Sequence, residues 1–138
     1  MSLTTLQARD VILGIFKDAW DATGYNAFYD DKTGQIGASE NPWARATLQH
    51  VTGGQSSLSG ASGTKRFTEI GNVFVQVFAP VGDGSTRCYE LAQLVRNAFR
   101  DSRHAEVWFK NVHLEEVGVS GAFDQINVIA TFSYDEVR

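Results

Sequence analysis

The chain has 138 residues, of which 43% are hydrophobic, 12% aromatic and 20% charged. This length fits a single domain over residues 1–138, which can bury roughly 70% of the surface that the unfolded chain exposes. Its net charge of −4 argues against broad contact with phosphate backbones, so no direct nucleic-acid binding is expected. Neither an 18-residue apolar run nor a signal-peptide pattern is present, which predicts a soluble, intracellular chain without a membrane partner.

The first predicted element is a helix from Thr4 to Thr23. Thr4 and Gln7 form a capping-box pattern, and Gly24 follows as a stop signal. The apolar residues cover well over half of the helix circumference, more than a surface helix needs to pack on one core. This excess predicts a second contact, such as another subunit. The apolar set is Leu6, Ala8, Val11, Ile12, Leu13, Ile15, Phe16, Ala19 and Trp20.

Two strands are predicted next, with a turn between them. Phe28 and Tyr29 fit a short strand that leads into the turn sequence "DDKTG". The second strand runs from Trp43 to Val51, after a proline that tolerates this position. Its alternation places Ala44, Ala46 and Leu48 on one face and Arg45, Thr47 and Gln49 on the other.

A loop from Gly53 to Thr64 follows, in which eight of twelve residues are Gly or Ser. Leu58 is its single large apolar residue and could recover only about 2 kcal/mol by burial. Ordering twelve residues costs on the order of 12–24 kcal/mol, so we expect a long flexible β-hairpin loop. Two interpretations remain open: a tolerated insertion, or an arm that orders against a partner.

The segment "RFTEIGNVFVQVFAP" predicts a strand from Arg66 to Pro80 with two apolar faces, which is typical of a central strand covered on both sides. A second amphipathic helix is expected from Ser85 to Arg100, beginning at a Ser/Thr cap. Its predicted buried face comprises Cys88, Leu91, Ala92, Leu94, Val95, Ala98 and Phe99.

Two further strands are predicted at the end of the chain. The first, over residues 106–120, has a bulge near Glu115 and Glu116, where the alternation slips. The second, over residues 123–137, alternates cleanly, and the short link "SGA" makes the two strands antiparallel neighbours. The predicted fold class is therefore α+β, a mainly antiparallel β-sheet packed with two principal α-helices.

No catalytic, metal-binding or cofactor-binding pattern is predicted. His50, His104 and His113 lack a second ligand at metal-binding spacing, and we interpret them as structural or solvated. The adjacent carboxylates Asp30 and Asp31 fit a surface turn, and Cys88 fits a small core residue. An enzyme using His50 or the Asp30/Asp31 pair is the weakest of the hypotheses considered.

Three stretches, read together, carry a family resemblance: "NPWARATLQHVTGGQSSLSG", "KRFTEIGNVFVQVFAPVGDGSTR" and "VWFKNVHLEEVGVSGAFDQINVIATFSYDEV". In this order, after an N-terminal helix, they resemble the tail terminator-like proteins of tailed phages and prophages. The likeness extends from Leu3 to Val137 and rests on the order and wording of the strands.

The resemblance implies a non-enzymatic virion assembly protein. Its subunits would form a ring, generally hexameric, that caps the finished tail tube, stops tube growth and offers a head-joining surface. The implied partners are other copies of the chain, the tail tube protein and a head–tail connector protein, in a virion tail assembled in the bacterial host cytoplasm. The alternative is another tail or connector subunit, such as a tube or neck protein.

Subunit or tube contacts are predicted from exposure and position alone. Basic residues flank the flexible loop, and the start of the second helix adds polar residues to the same prediction. The predicted contact residues are Arg45, Gln49, Leu58, Lys65, Arg66, Arg87 and Tyr89.

Overall fold

The computed structural model describes residues 3–29, 41–55, 65–82 and 85–137. Within these ranges the chain forms two helices and one five-stranded, mostly antiparallel sheet, which confirms the predicted α+β fold. The tip of the predicted flexible loop, with Leu58, and the predicted turn at Asp30 and Asp31 lie outside the described residues. Neither helix is long and apolar enough to cross a membrane.

Helix α1 spans Thr5–Asp21 and helix α2 spans Thr86–Arg100. The capping box predicted for α1 is present, because the Thr4 hydroxyl accepts from the Gln7 amide at 3.2 Å and the Gln7 side chain accepts from the Thr4 amide at 3.0 Å. Gly24 follows α1 with a φ of +74°, a conformation that glycine adopts without strain. The start of α2 was predicted well, but its N-cap residue Ser85 makes no side-chain capping bond.

The strands are β1 (Asn26–Tyr29), β2 (Trp43–Gln55), β3 (Arg66–Pro80), β4 (Val107–Ser120) and β5 (Phe123–Val137). They lie in the order β1-β2-β3-β5-β4, so β3 is the middle strand, as its two apolar faces predicted. β4 and β5 are the expected antiparallel neighbours. β1 runs parallel to β2, a pairing that the sequence did not reveal.

Two strand details differ from the prediction. β2 continues four residues beyond Val51, and Gly53 pairs with Glu69 of β3, so the loop begins later than expected. Backbone pairing in the antiparallel ladder overrides the glycines' low strand propensity. β4 has an irregularity between Glu116 and Gly118, close to the predicted bulge, and another between Lys110 and His113 that was not predicted.

Both helices pack on the same face of the sheet and share one core with it. Their buried side chains meet the inward-facing residues of the four longer strands, and Leu3 extends the core at the start of α1. The largest fully buried side chains include Phe16, Trp20, Val75, Phe99, Phe132 and Tyr134.

The other face of the sheet is not covered by any described helix or strand, so the predicted burial of β3 on both sides is wrong for the described part of the chain. The helix-facing valines of β3 are fully buried, whereas on the opposite face Phe74 is half-buried and Phe78 is buried by its aromatic neighbours. In α2, Leu94 is 36% exposed and does not belong to the buried face, because Cys88, Leu91 and Val95 already fill that stripe against the sheet.

Gly71, in the middle of β3, lies in a tightly packed position between β2 and β5. A Cβ atom at this position would lie 2.4 Å from the Gln49 carbonyl oxygen and 2.6 Å from the Phe132 ring. The Phe132 ring therefore fills the space that a side chain of residue 71 would otherwise occupy, and the sheet requires glycine here.

Candidate interaction surface

The uncovered face of the sheet, called the open face here, consists of side chains that alternate with the core residues along four strands. Most of these side chains are half-buried although no described element lies over them, since neighbours across the strands shield one another. The open face contains Trp43, Arg45, Thr47, Gln49, Asn72, Phe74, Gln76, Phe78, Trp108, Lys110, Glu115, Phe123, Gln125, Asn127, Ile129 and Thr131.

One end of the open face carries an aromatic cluster, formed by Phe28, Trp43, Phe78 and Phe123. The Trp43 and Phe78 rings stack with centroids 4.0 Å apart and an interplanar angle of 10°. Phe28 and Phe123 meet Trp43 edge-on, at 5.7 Å and 6.1 Å. Each pair contributes about 0.5–1.5 kcal/mol beyond the area that it buries. The cluster thus joins β1, β2, β3 and β5 into one rigid apolar patch.

Arg45 lies beside this cluster, with its guanidinium carbon 5.7 Å from the centroid of the Trp43 ring. This is within the range of a cation–π interaction. Among the described residues, two N–H groups at this point, Nε1 of Trp43 and Nε of Arg45, are buried and have no hydrogen-bond acceptor. A buried donor without a partner costs about 1–3 kcal/mol. This end of the open face therefore lacks acceptors for two of its buried donors.

Elsewhere on the open face, two pairs of polar side chains are hydrogen-bonded to each other. The Thr131 hydroxyl donates to the side-chain oxygen of Asn72 at 2.9 Å, and the side-chain amide of Gln125 donates to the side-chain oxygen of Asn127 at 2.9 Å. These bonds fix amide groups in place across β3 and β5.

The far end of the open face carries a cleft of about 360 Å³ lined by Arg66, Ala105, Glu106, Trp108 and Asp135. Asp135 accepts from the Thr68 hydroxyl at 2.8 Å and lies 3.9 Å from Nε of Arg66. Trp108 is 53% exposed, which is unusual for so large an apolar side chain. The cleft combines one aromatic wall with charges of both signs.

Three of the predicted contact residues lie on the open face. Arg45 and Gln49 are four residues apart on the same side of β2, with Thr47 between them. Arg66 lies on the same side of the sheet at the opposite end, and Lys65, half-buried, immediately precedes it.

Arg87 and Tyr89 are placed on α2, at the other side of the sheet, so the predicted contact residues divide between two surfaces. The Arg87 guanidinium lies 5.7 Å from the centroid of the Tyr25 ring. Tyr89 is half-buried, not exposed as predicted, because it packs against the core. A hydrogen bond with the Glu116 carboxylate raises the pKa of Tyr89.

The sequence analysis missed the aromatic cluster and Trp108 as members of this surface. Their alternation within single strands was visible, but their meeting depends on the register between β2, β3 and β5. The cluster could have been predicted only from the aromatic residues that lie at the ends of three predicted strands.

The histidines and the cysteine all have local contacts. His50 Nε2 lies 2.7 Å from the buried Tyr134 hydroxyl, and His113 Nδ1 lies 2.7 Å from the Asn111 carbonyl oxygen. Nδ1 of His104 accepts from the Glu106 amide at 3.1 Å. Burial raises the pKa of the Cys88 thiol to about 11, so it is protonated at neutral pH. The described residues include no group of three or more side chains that could hold a metal ion.

Comparison with known proteins yields fold similarity only. No protein-family profile matches the chain, and no curated protein is significantly similar to it. Thirty chains of solved structures match, and one of them has a TM-score of 0.61 at 14% identity, covering 91% of this chain and 94% of its own length. The name of that structure states no function. At this identity the similarity concerns the fold alone.

Proposed function

We propose that this chain is a structural subunit of a phage tail terminator, which assembles into a closed ring on the end of a tail tube. The proposal is supported by the resemblance of its strand sequences, from Leu3 to Val137, to tail terminator-like proteins. The ring would stop tube growth and offer a surface to a head–tail connector protein. No catalytic step is assigned to it.

The observation that carries the proposal is the open face. A sheet that faces water on one side usually alternates apolar and polar residues. On its inner strands the open face presents half-buried aromatic, amide and hydroxyl groups beside Arg45, whereas Lys110 and Glu115 lie on the outer strand β4 and Arg66 and Asp135 at the strand ends. Aromatic residues and an arginine with few other charges beside them are typical of the centre of a protein interface.

The long β2–β3 hairpin adds a second support. Its outer residues, Val51 to Gln55, are all exposed, although Thr52 to Gln55 are still paired with β3. A hairpin that leaves the core in this way can reach a neighbouring subunit or the tube without disturbing its own domain.

The test is native mass spectrometry over a wide concentration range, with electron micrographs of the same samples. A closed ring of bounded size, which becomes more abundant with concentration, is the expected result. Open-ended tubes would favour the second candidate, a tail tube subunit, because a tube protein polymerises without a fixed limit. Irregular aggregates or a mixture without a preferred size would contradict both.

A further inference from the structure

The outer surface of α1, opposite its buried side, carries two carboxylates with a glycine between them. Asp10, Gly14 and Asp18 follow one another at four-residue steps, so they form one stripe along the helix. Both aspartates are exposed, and the buried residues of α1 lie on the other side. Because a helix rises 1.5 Å per residue, the two carboxylates are separated by about 12 Å along the axis. We call this set the outer stripe.

Nothing among the described residues explains the glycine at position 14. A Cβ atom added there would meet none of them within 4 Å, yet glycine in a helix interior is less stable than alanine by roughly 0.5–1 kcal/mol. Glycine here allows another backbone or side chain to approach the helix closely. The same helix showed an apolar excess in the sequence, and Leu6 near its start is 64% exposed.

The open face presents a matching row of polar groups. Arg45, Thr47 and Gln49 point from one side of β2, and strand geometry places Arg45 and Gln49 about 13 Å apart. The two end groups of this β2 row, a guanidinium and an amide, can both donate hydrogen bonds. The spacing of donors on β2 therefore matches the spacing of carboxylates on the outer stripe to within about 1 Å.

Ion pairing selects the relative direction of the two rows. The Asp10 carboxylate already meets Arg9 of its own helix at 3.5 Å. Among the described residues, Asp18 makes no ion pair, and Arg45 makes none either. Asp18 and Arg45 are therefore each available for an ion pair with another chain.

We infer that the open face of one copy of this chain binds the outer stripe of α1 from a second copy, with Asp18 against Arg45, Gly14 over Thr47 and Asp10 against Gln49. The carboxylate of Asp18 supplies an acceptor to the Arg45 guanidinium, whose Nε has none among the described residues. Helices packed on the sheet are also what covers its other face.

This contact is heterologous, because the two surfaces are different and lie on opposite sides of the sheet. A chain cannot make the contact with itself, so each copy binds the next, and the series closes into a ring if the rotation permits. The inference rests on the proposed function in this respect only: both require copies of the chain to associate.

The test is a charge exchange. We expect Arg45→Glu and Asp18→Arg each to raise the concentration for half-assembly by about tenfold or more, since like charges then meet in the contact. The double variant, carrying both changes in one chain, should assemble within about threefold of the wild type, because a coupled pair is not additive. Matched controls are Arg103→Glu and Asp101→Arg, the same charge changes at exposed positions after α2. Native mass spectrometry and sedimentation measure all five variants.

Gly14→Ala supplies a readout that does not depend on charge. We expect this variant to have a higher thermal midpoint than the wild type at low concentration but weaker assembly, by about fivefold or more, because the added methyl group keeps the partner away. A variant that is more stable and assembles equally well would contradict a close approach at Gly14.

The outcomes separate the two proposals. If the wild type forms closed rings and Arg45→Glu forms the same rings at the same concentration, the contact is wrong and the proposed function stands. If both single variants lose assembly and the double variant does not recover it, the pairing of Asp18 with Arg45 is wrong. If the wild type forms open-ended tubes in which the charge exchange works as expected, the contact stands and the terminator function is wrong. A wild type that remains monomeric at every concentration overturns the contact.

Discussion

Replacement of Gly71 by alanine tests how closely β2 and Phe132 of β5 pack around this residue. The new Cβ would lie 2.4 Å from the Gln49 carbonyl oxygen, 2.6 Å from the Phe132 ring and 2.9 Å from the His50 Cα. Two of these three atoms belong to the backbone of β2 and cannot rotate away. Since ordinary contacts of a Cβ begin near 3.4 Å, β2 and β3 must separate locally by close to 1 Å.

The expected effect is destabilisation by about 3 kcal/mol. Overpacking of a buried site costs about 1–3 kcal/mol, and weakened ladder hydrogen bonds add about 1 kcal/mol. The lower chain entropy of alanine in the unfolded state returns about 0.5–1 kcal/mol. For a domain of this size, the thermal midpoint should fall by roughly 10 °C.

Urea unfolding, followed by circular dichroism at a concentration where the chain is monomeric, measures this difference. Gly14→Ala is the matched control, because the same methyl group meets open space in a helix and should stabilise by about 0.5–1 kcal/mol. If Gly71→Ala unfolds at the same urea concentration as the wild type, or at a higher one, the close approach deduced at β2 and β3 is wrong.

Three further predictions concern other parts of the chain. Thr4→Ala should lower the free energy of unfolding by about 1 kcal/mol, because the Gln7 amide loses its acceptor. Amide hydrogen exchange in the first turn of α1 should become faster, and unchanged exchange would count against the cap. Because folding raises the pKa of Cys88 from 9.0 to about 11, the protonated thiol stabilises the folded state below pH 9, and this contribution is lost as pH rises towards 11. Between these values the wild type should lose up to about 3 kcal/mol more than Cys88→Ala in urea titrations, whereas identical pH profiles would refute the shift. Phe78→Ala should lower the free energy of unfolding by about 3–5 kcal/mol and change the near-ultraviolet circular dichroism of Trp43. The control Phe78→Leu should lose less stability. Equal losses in the two variants would show that the stack with Trp43 is not the source of the stabilisation.

Much of the fold follows from patterns within single elements. The capping box at Thr4, the two-residue alternation of residues 123–137 and the amphipathic stripe of α2 are each visible in a short window of sequence. These features depend on the helix and strand periods and on local hydrogen bonds, so they can be read without knowledge of the rest of the chain. Prediction failed where pairing decided the outcome, as at Gly53 and Gly54, whose composition indicated a loop but which lie in β2.

The candidate interaction surface was only partly predictable. Arg45, Gln49 and Arg66 were predicted as contacts, and the structure places them on one face of the sheet, but Arg87 and Tyr89 lie on the helix side. No pattern within β2 could show that Trp43 stacks on Phe78 or that the buried Nε of Arg45 would have no acceptor.

The sequence by itself determined most of the helices and strands, the two apolar faces of β3 and the excess of apolar residues on α1, because periodicity and capping act over a few residues. Only the tertiary structure decided the strand order, the parallel pairing of β1 and the side of the sheet on which both helices lie. Alternation creates two faces in a strand, but it does not say which one a helix will cover. That choice depends on the joint packing of residues as distant in the chain as Phe16 and Phe132, which bury their surfaces only together.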